Sequence, residues 1–312
     1  MFTIYQIIHT ILSLFGVLIN IFLLLLAITK SPKIMRPCSA LITNKALTDI
    51  LSSLANFFVM QQFVVLENGA VGIVPHGPCT MFGDTACYAG NMLMMSFLEH
   101  NLIWLIACYL FRYYILYVCD PKIKSIILAA IMVYTPSLLH VGLWVRAYSN
   151  QKPEFQTTNV TIPNLIEGPI VFWSSLVIFS QLVITAILVV ACYLWIRNVL
   201  INFLISMGIQ ISAECKILNQ QLVKILTFQV CIPFWIVLAI FIWTLQYTWL
   251  PTVSFLGNCV TISFMFAPVI SPFSYIIFVP HYWNFCTGKK MEKEDSSSVN
   301  GTVTHFDSAR TE

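Results

Sequence analysis

Two pairs of ionisable residues lie inside apolar stretches of this chain, and each could do chemistry there: Lys45 with Asp49, and Glu99 beside His100. Lys45 and Asp49 are four residues apart, which puts them on one face of a helix. A charge placed in a bilayer costs about 2.5–3.5 kcal/mol on insertion scales, and mutual pairing reduces that cost. The pair could form an ion or ligand site. In the other reading Lys45 snorkels to the near helix end and leaves Asp49 as a buried polar anchor between helices. Glu99 and His100 sit too deep in their stretch to snorkel. They are expected to face a bundle interior or a watery cavity, as a ligand site or switch, or else as a structural hydrogen bond between helices. No metal site is expected, because adjacent helical residues point about 100° apart and no second His or Cys has matching spacing. The chain has no His-Glu-x-x-His, no Gly-x-Ser-x-Gly and no phosphate loop, so neither an enzyme nor a cofactor is expected.

Pro233, in Cys231-Ile232-Pro233-Phe234-Trp235, and Pro272, in Ser271-Pro272-Phe273-Ser274-Tyr275, interrupt two late apolar blocks. A proline frees a carbonyl and kinks a helix. Each is either a pivot that lets the helix ends swing or a static kink packed by its neighbours. Arg112 closes another block amid aromatics, as an interfacial anchor, an interhelical partner or a contact for another protein. Cys79 and Cys87 flank the start of that block, and if a bridge exists on that side they are the expected pair.

These residues must be held by membrane helices. The chain of 312 residues is 58% hydrophobic and only 9% charged, with a mean hydropathy of +0.83. Such a chain lacks the polar surface to cover itself in water. Its net charge of +3 argues against nucleic acid and fits contact with a lipid bilayer. Seven apolar blocks are long enough to span, at about 4–28, 39–62, 84–112, 125–145, 168–196, 225–247 and 252–278. The first reads as a membrane helix rather than a removable leader. Continuous apolar runs exclude the alternation of a barrel. The expected fold is therefore an all-α membrane protein, a seven-transmembrane helix bundle over residues 1–288 with a disordered tail over 289–312.

Basic residues fall on one side of that bundle. Lys30, Lys33, Arg36, Arg112, Lys122, Lys124, Arg197, Lys216 and Lys224 occupy odd connectors, and Lys289, Lys290, Lys293 and Arg310 the tail. The second and sixth connectors carry none, and the fourth only Arg146 and Lys152. Positive loops stay in the cytoplasm, so the N-terminus is expected outside and the C-terminus inside. Asn159-Val160-Thr161 then lies outside as a glycosylation sequon. Cys286, among aromatic and basic residues after the last span, is a palmitoylation candidate.

Ser31-Pro32-Lys33-Ile34-Met35-Arg36, followed by Ala46-Leu47-Thr48-Asp49, resembles the first inner loop and second helix of nematode serpentine chemoreceptors. Gly77-Pro78-Cys79 through Phe82-Gly83 to Cys87, with Phe111-Arg112-Tyr113-Tyr114-Ile115-Leu116, resembles their class delta branch. Ile270-Ser271-Pro272 leading to Pro280-His281-Tyr282 is similar too, and the likeness spans about residues 15–285. The resemblance implies a G-protein-coupled receptor of the plasma membrane, in the cilia of chemosensory neurons. Its partners would be a small-molecule ligand, a heterotrimeric G protein and the bilayer. Arg112 would match the arginine that ends helix 3 in the wider superfamily, and Pro272 with Tyr275 its Pro-x-x-Tyr element. The chain departs from that pattern in having no acidic residue before Arg112, Ser271 where Asn is common, and Lys45 in the second helix. A transporter or a ligand-gated channel subunit is the alternative, and it predicts paired charges repeated between the two halves, which the chain does not show.

Overall fold

A backbone in hydrocarbon can pair its polar groups only internally, and the long apolar blocks accordingly fold as helices. The structure, a computed structural model, describes residues 2–31, 36–66, 71–117, 123–150, 166–207, 224–225, 227–250 and 253–288. In α1 (Phe2–Thr29) the buried side is Tyr5, His9, Ser13, Gly16, Asn20, Leu23 and Ala27. These positions are three or four apart and make one stripe. Ile7, Ile11, Leu14, Leu18 and Leu25 are exposed around the rest of the helix. Polar groups face inward and large apolar ones outward, the order that a lipid solvent favours.

The other helices are α2 (Arg36–Val59), α3 (Asp84–Tyr117), α4 (Ile123–Ser149), α5 (Pro169–Met207), α6 (Cys231–Thr248), α7 (Ser254–Phe278) and the short α8 (Pro280–Thr287). Among the described residues six helical stretches are long and apolar enough to cross a membrane: Ile4–Thr29, Asp84–Phe111, Ile127–Ser149, Pro169–Val199, Thr227–Thr248 and Phe255–Phe278. The seventh helix of the bundle is α2, whose hydropathy is lowered by Lys45, Asp49 and a run of Ser and Asn. It packs between α1 and α3. Helix α3 runs through the middle, touching α2, α4 and α5, and is buried on nearly every side from Cys87 to Tyr109. Helix α7 closes the ring against α1 and α6. Helix α4 lies at the edge, with Ile127, Ile131, Leu139 and Leu143 exposed. Beyond the expected apolar limits, α3 continues to Tyr117 and α5 to Met207.

One end of the bundle carries a small three-stranded sheet, which the all-α expectation did not include. Strand β1 (Gln61–Val65) pairs antiparallel with β2 (Val71–Pro75), Phe63 opposite Ile73. Strand β3 (Ile166–Glu167) pairs on the other side of β2, Ile166 opposite Ile73. The β-branched residues Val71, Ile73 and Val74 suit a strand, and every residue of β2 is buried. The chain turns from α2 into β1 at Met60, whose φ of 43° is left-handed. Gly77 then passes so close to α2 that a Cβ there would lie 2.3 Å from the Phe58 carbonyl oxygen. A disulfide joins Cys79 to Cys87 at the start of α3, with Cα atoms 4.9 Å apart. At the opposite end α8 leaves α7 after Val279, and its buried Tyr282 shares a 2.7 Å hydrogen bond with the Ser31 hydroxyl.

Candidate functional site

The centre of the bundle is a charged latch. Helical spacing brings Lys45 and Asp49 together on α2, and both are almost wholly buried. The Lys45 ammonium donates to both Asp49 oxygens, at 2.7 and 2.6 Å. Lys45 therefore does not reach for the helix end. Asn101 of α3 donates a further hydrogen bond to Asp49 Oδ1, at 2.7 Å. The Ser271 hydroxyl of α7 also faces this carboxylate. One neutral cluster thus holds α2, α3 and α7 in register, and its charges cancel inside it.

The latch adjoins the kink of α7. Proline at 272 has no N–H for the carbonyl four residues earlier, that of Pro268. Asn20 of α1 replaces the missing donor: its Nδ2 gives 2.8 Å hydrogen bonds to the carbonyls of both Pro268 and Gly16. One turn on, the Ser274 hydroxyl donates to the Ser271 carbonyl at 2.7 Å and accepts from Gln229 Nε2 at 3.0 Å. Gln229 lies just before a turn at Val230 that precedes Pro233 at the start of α6. Four helices, α1, α2, α3 and α7, and the segment that leads into α6 meet within this polar network.

His100 is fully buried and stacks on Tyr134 of α4, with ring centroids 3.8 Å apart. The Tyr134 and Thr48 hydroxyls share a 3.1 Å hydrogen bond, so this stack ties α4 to α2 one residue along α3 from Asn101. Glu99 is half-buried on a different side of α3. Other polar atoms in the bundle have no hydrogen-bond partner among the described residues, including His9, Ser13, Ser52, Ser53 and the Asn56 amide oxygen. They line α1 and α2 between the latch and the sheet. Ordered waters commonly bridge such groups.

At the sheet end the Gln61 carbonyl accepts from the Tyr5 and Thr261 hydroxyls, which pins β1 to α1 and α7. His76, next to the sheet, shares a 3.2 Å hydrogen bond with Gln62 Oε1, and burial pushes its pKa down.

Residues 5–288 match the family described as serpentine type 7TM GPCR chemoreceptor Srd. Serpentine receptor class delta-30 of Caenorhabditis elegans is 45% identical over 303 residues, covering 96% of this chain and 93% of the relative. Class delta-26 is 46% identical over 297 residues, covering 94% and 93%. Class delta-28 is 46% identical over 309 residues, covering 98% and 96%. The chain belongs to the class delta serpentine chemoreceptor family. It is a multi-pass membrane protein of a receptor class.

In this class delta receptor the candidate residues fall into separate places. Lys45, Asp49, Pro272 and the buried Tyr275 gather around the latch and the α7 kink. Pro233 is buried in the first turn of α6. Glu99 and His100 lie at the level of the latch rather than beneath the sheet. Arg112 belongs to the last two turns of α3, and its side chain lies outside the described residues. Asn159 and the tail from Lys289 also lie outside them. Cys286 is an exposed free thiol on α8, beside Phe285, whose ring sits 4.4 Å beneath the Lys30 ammonium. Among the described residues no three His, Cys, Asp or Glu gather as metal ligands.

Asn20, Asn101, Gln229 and Ser274 carry the network with Asp49, yet sequence reasoning passed over them. For Asn20 a signal existed: His9, Ser13 and Asn20 are the polar members of one helical stripe in an otherwise apolar block. For the others the partner is distant in sequence, and nothing local points to it.

Proposed function

We propose that this receptor binds a small odorant or solute within the sheet-end half of its bundle and activates a heterotrimeric G protein at the α8 end. In this reading the sheet and the N-terminus face outward, and α8 and the tail face the cytoplasm of a sensory cilium. The observation that carries the proposal is the network around Pro272, where α1, α2, α3, α7 and the segment leading into α6 meet. A ligand that alters the packing of α6 or α7 near the sheet repacks that cluster. The inner ends of α3, α5 and α6, with Arg112 among them, then open to the G protein. Such a switch needs differential binding: moving a population from 1:99 to 99:1 takes about 5.5 kcal/mol in favour of the active state.

The test is expression at the cell surface with an epitope on each terminus, followed by a screen of volatile and soluble compounds for recruitment of labelled G-protein α subunits. The expected result is an exposed N-terminal epitope and ligand-dependent recruitment. Displayed receptor that recruits no α subunit with any compound would overturn the coupling, and an exposed C-terminal epitope would overturn the orientation. Ligand-gated current or substrate flux in vesicles without G protein would favour a channel or transporter instead.

A further inference from the structure

The sheet end holds a second group of buried polar atoms, which the latch does not use. Trp243 and Gln246 lie three residues apart on α6, on the side turned to the bundle. They are 5% and 0% exposed. The Trp243 indole nitrogen and both atoms of the Gln246 amide have no hydrogen-bond partner among the described residues. Aromatic rings pack around Trp243. Phe179 of α5 meets Trp243 edge-on at 4.8 Å and Phe63 of β1 at 5.8 Å, and Tyr247 stacks on Trp243 at 5.8 Å. Gly257 of α7 makes room for this junction: a Cβ there would lie 1.9 Å from the Phe63 carbonyl oxygen and 3.4 Å from Gln246 Nε2. No Asp, Glu, Lys or Arg occurs from Gly168 to Ile196, in β1, or from Ile225 to Gly288.

We propose that Trp243 and Gln246 form the polar end of a binding site for a small uncharged molecule with an apolar body and one hydroxyl. This deepens the receptor reading above and rests on it for what occupancy does, while binding itself requires no G protein. The hydroxyl follows from the valences of the site. Three atoms await partners: the donor nitrogens Trp243 Nε1, with one N–H, and Gln246 Nε2, with two, and the acceptor Gln246 Oε1. A hydroxyl accepts two hydrogen bonds and donates one. A ketone or ether leaves the Gln246 carbonyl oxygen unpaired. A hydrocarbon leaves all three atoms unpaired. A carboxylate or ammonium brings a charge into an aromatic surround with no counter-charge. The rings of Phe63, Phe179 and Tyr247 supply the apolar wall that small-molecule sites use around a few convergent polar groups.

The experiment uses the purified full-length receptor in lipid nanodiscs, without G protein. Three photoreactive probes of equal length are compared: a diazirine-bearing octanol, the matching octane and the matching octanoate. The expected result is saturable labelling by the alcohol probe, mapped to peptides containing Phe63, Phe179 or Gln246 and displaced by unlabelled octan-1-ol. Trp243→Phe should weaken it about tenfold, the loss of one hydrogen bond, and Gln246→Leu, which removes two, about a hundredfold. Should either variant misfold, the wild-type preference for the alcohol over the octane and octanoate probes decides alone. Equal labelling by alcohol and octane, or labelling that maps elsewhere, would overturn the proposal and leave bound water as the only occupant. Saturable alcohol labelling in a receptor that couples to no G protein would keep this site and sink only the coupling.

Discussion

Lys45→Met should unlatch the bundle, and the size of the effect follows from burial. Lys45 is 1% exposed and Asp49 0%, so solvent cannot replace the lost ammonium. The Asp49 carboxylate would keep one strong donor, Asn101 Nδ2. Breaking a buried pair from one side costs about 3–5 kcal/mol, and the insertion cost of an uncompensated charge, about 2.5–3.5 kcal/mol, agrees with it. At roughly 2–4 °C per kcal/mol for a large domain, the purified receptor should melt about 6–20 °C lower. Lys45→Met combined with Asp49→Leu removes both charges. The Asn101 amide then loses its acceptor, at about 1–3 kcal/mol, and the Ser271 hydroxyl loses the carboxylate it faces. The double variant should therefore be more stable than either single one. The assay is thermal unfolding of all four proteins in one detergent, read as a double-mutant cycle. Additive losses in the double variant, or a single-variant loss below about 1 kcal/mol as at a surface pair, would refute the latch.

Three further outcomes follow from the same geometry. Asn20→Ala should cost about 1–3 kcal/mol, because the Pro268 carbonyl loses its donor. The cost should shrink in a Pro272→Ala background, where the new backbone N–H reaches that carbonyl, and equal losses in both backgrounds would rule out the capping role. Replacing Cys79 and Cys87 by Ser opens a loop with a sequence separation of 8, which chain entropy puts at about 2.5 kcal/mol; a melting point unmoved by either the substitution or a reductant would contradict this. Burial holds the His76 imidazole below its ordinary pKa, so the unfolded chain takes up its proton first as pH falls through about 6.5. Stability from neutral His76 is present above that pH and is lost as pH falls towards the folded-state value. Comparing melts at about pH 7.5 and 5.5, the wild type should lose more than His76→Gln, and an equal loss would dismiss the contribution.

The membrane class of this chain was plain in the sequence because lipid imposes a coarse requirement. Each span needs about 20 apolar residues, and a block such as Ile4–Ile28 announces itself at that scale. Lys45 and Asp49 were equally visible, since charges stand out against an apolar background. The neutral polar side chains were harder to see. Asn20 resembles any lone polar residue in a membrane helix until its partner is known, and that partner, the Pro268 carbonyl, is 248 residues away. The carbonyl is free only because of a proline four positions further on. The sequence holds both halves of this arrangement but no sign that they meet.

The sheet was missed for a different reason. Gln61–Val65 and Val71–Pro75 are short, and an isolated pair of such strands is marginal in water. What stabilises them is the bundle beneath: Tyr5 and Thr261 hold the Gln61 carbonyl, and Phe63 packs on Phe179. Two glycines serve this docking. Gly77 lets the returning chain pass the end of α2, and Gly257 lets β1 touch α7. A Cβ at either position would overlap a backbone carbonyl, so both glycines are required by closeness of approach rather than by backbone freedom. These close approaches fasten the sheet beside the Gln246 side chain, whose Nε2 lies 3.4 Å from where a Gly257 Cβ would be. A molecule bound there would lie against α6 and α7, and the segment leading into α6 is tied to α7 by the Gln229–Ser274 hydrogen bond beside the Pro272 kink.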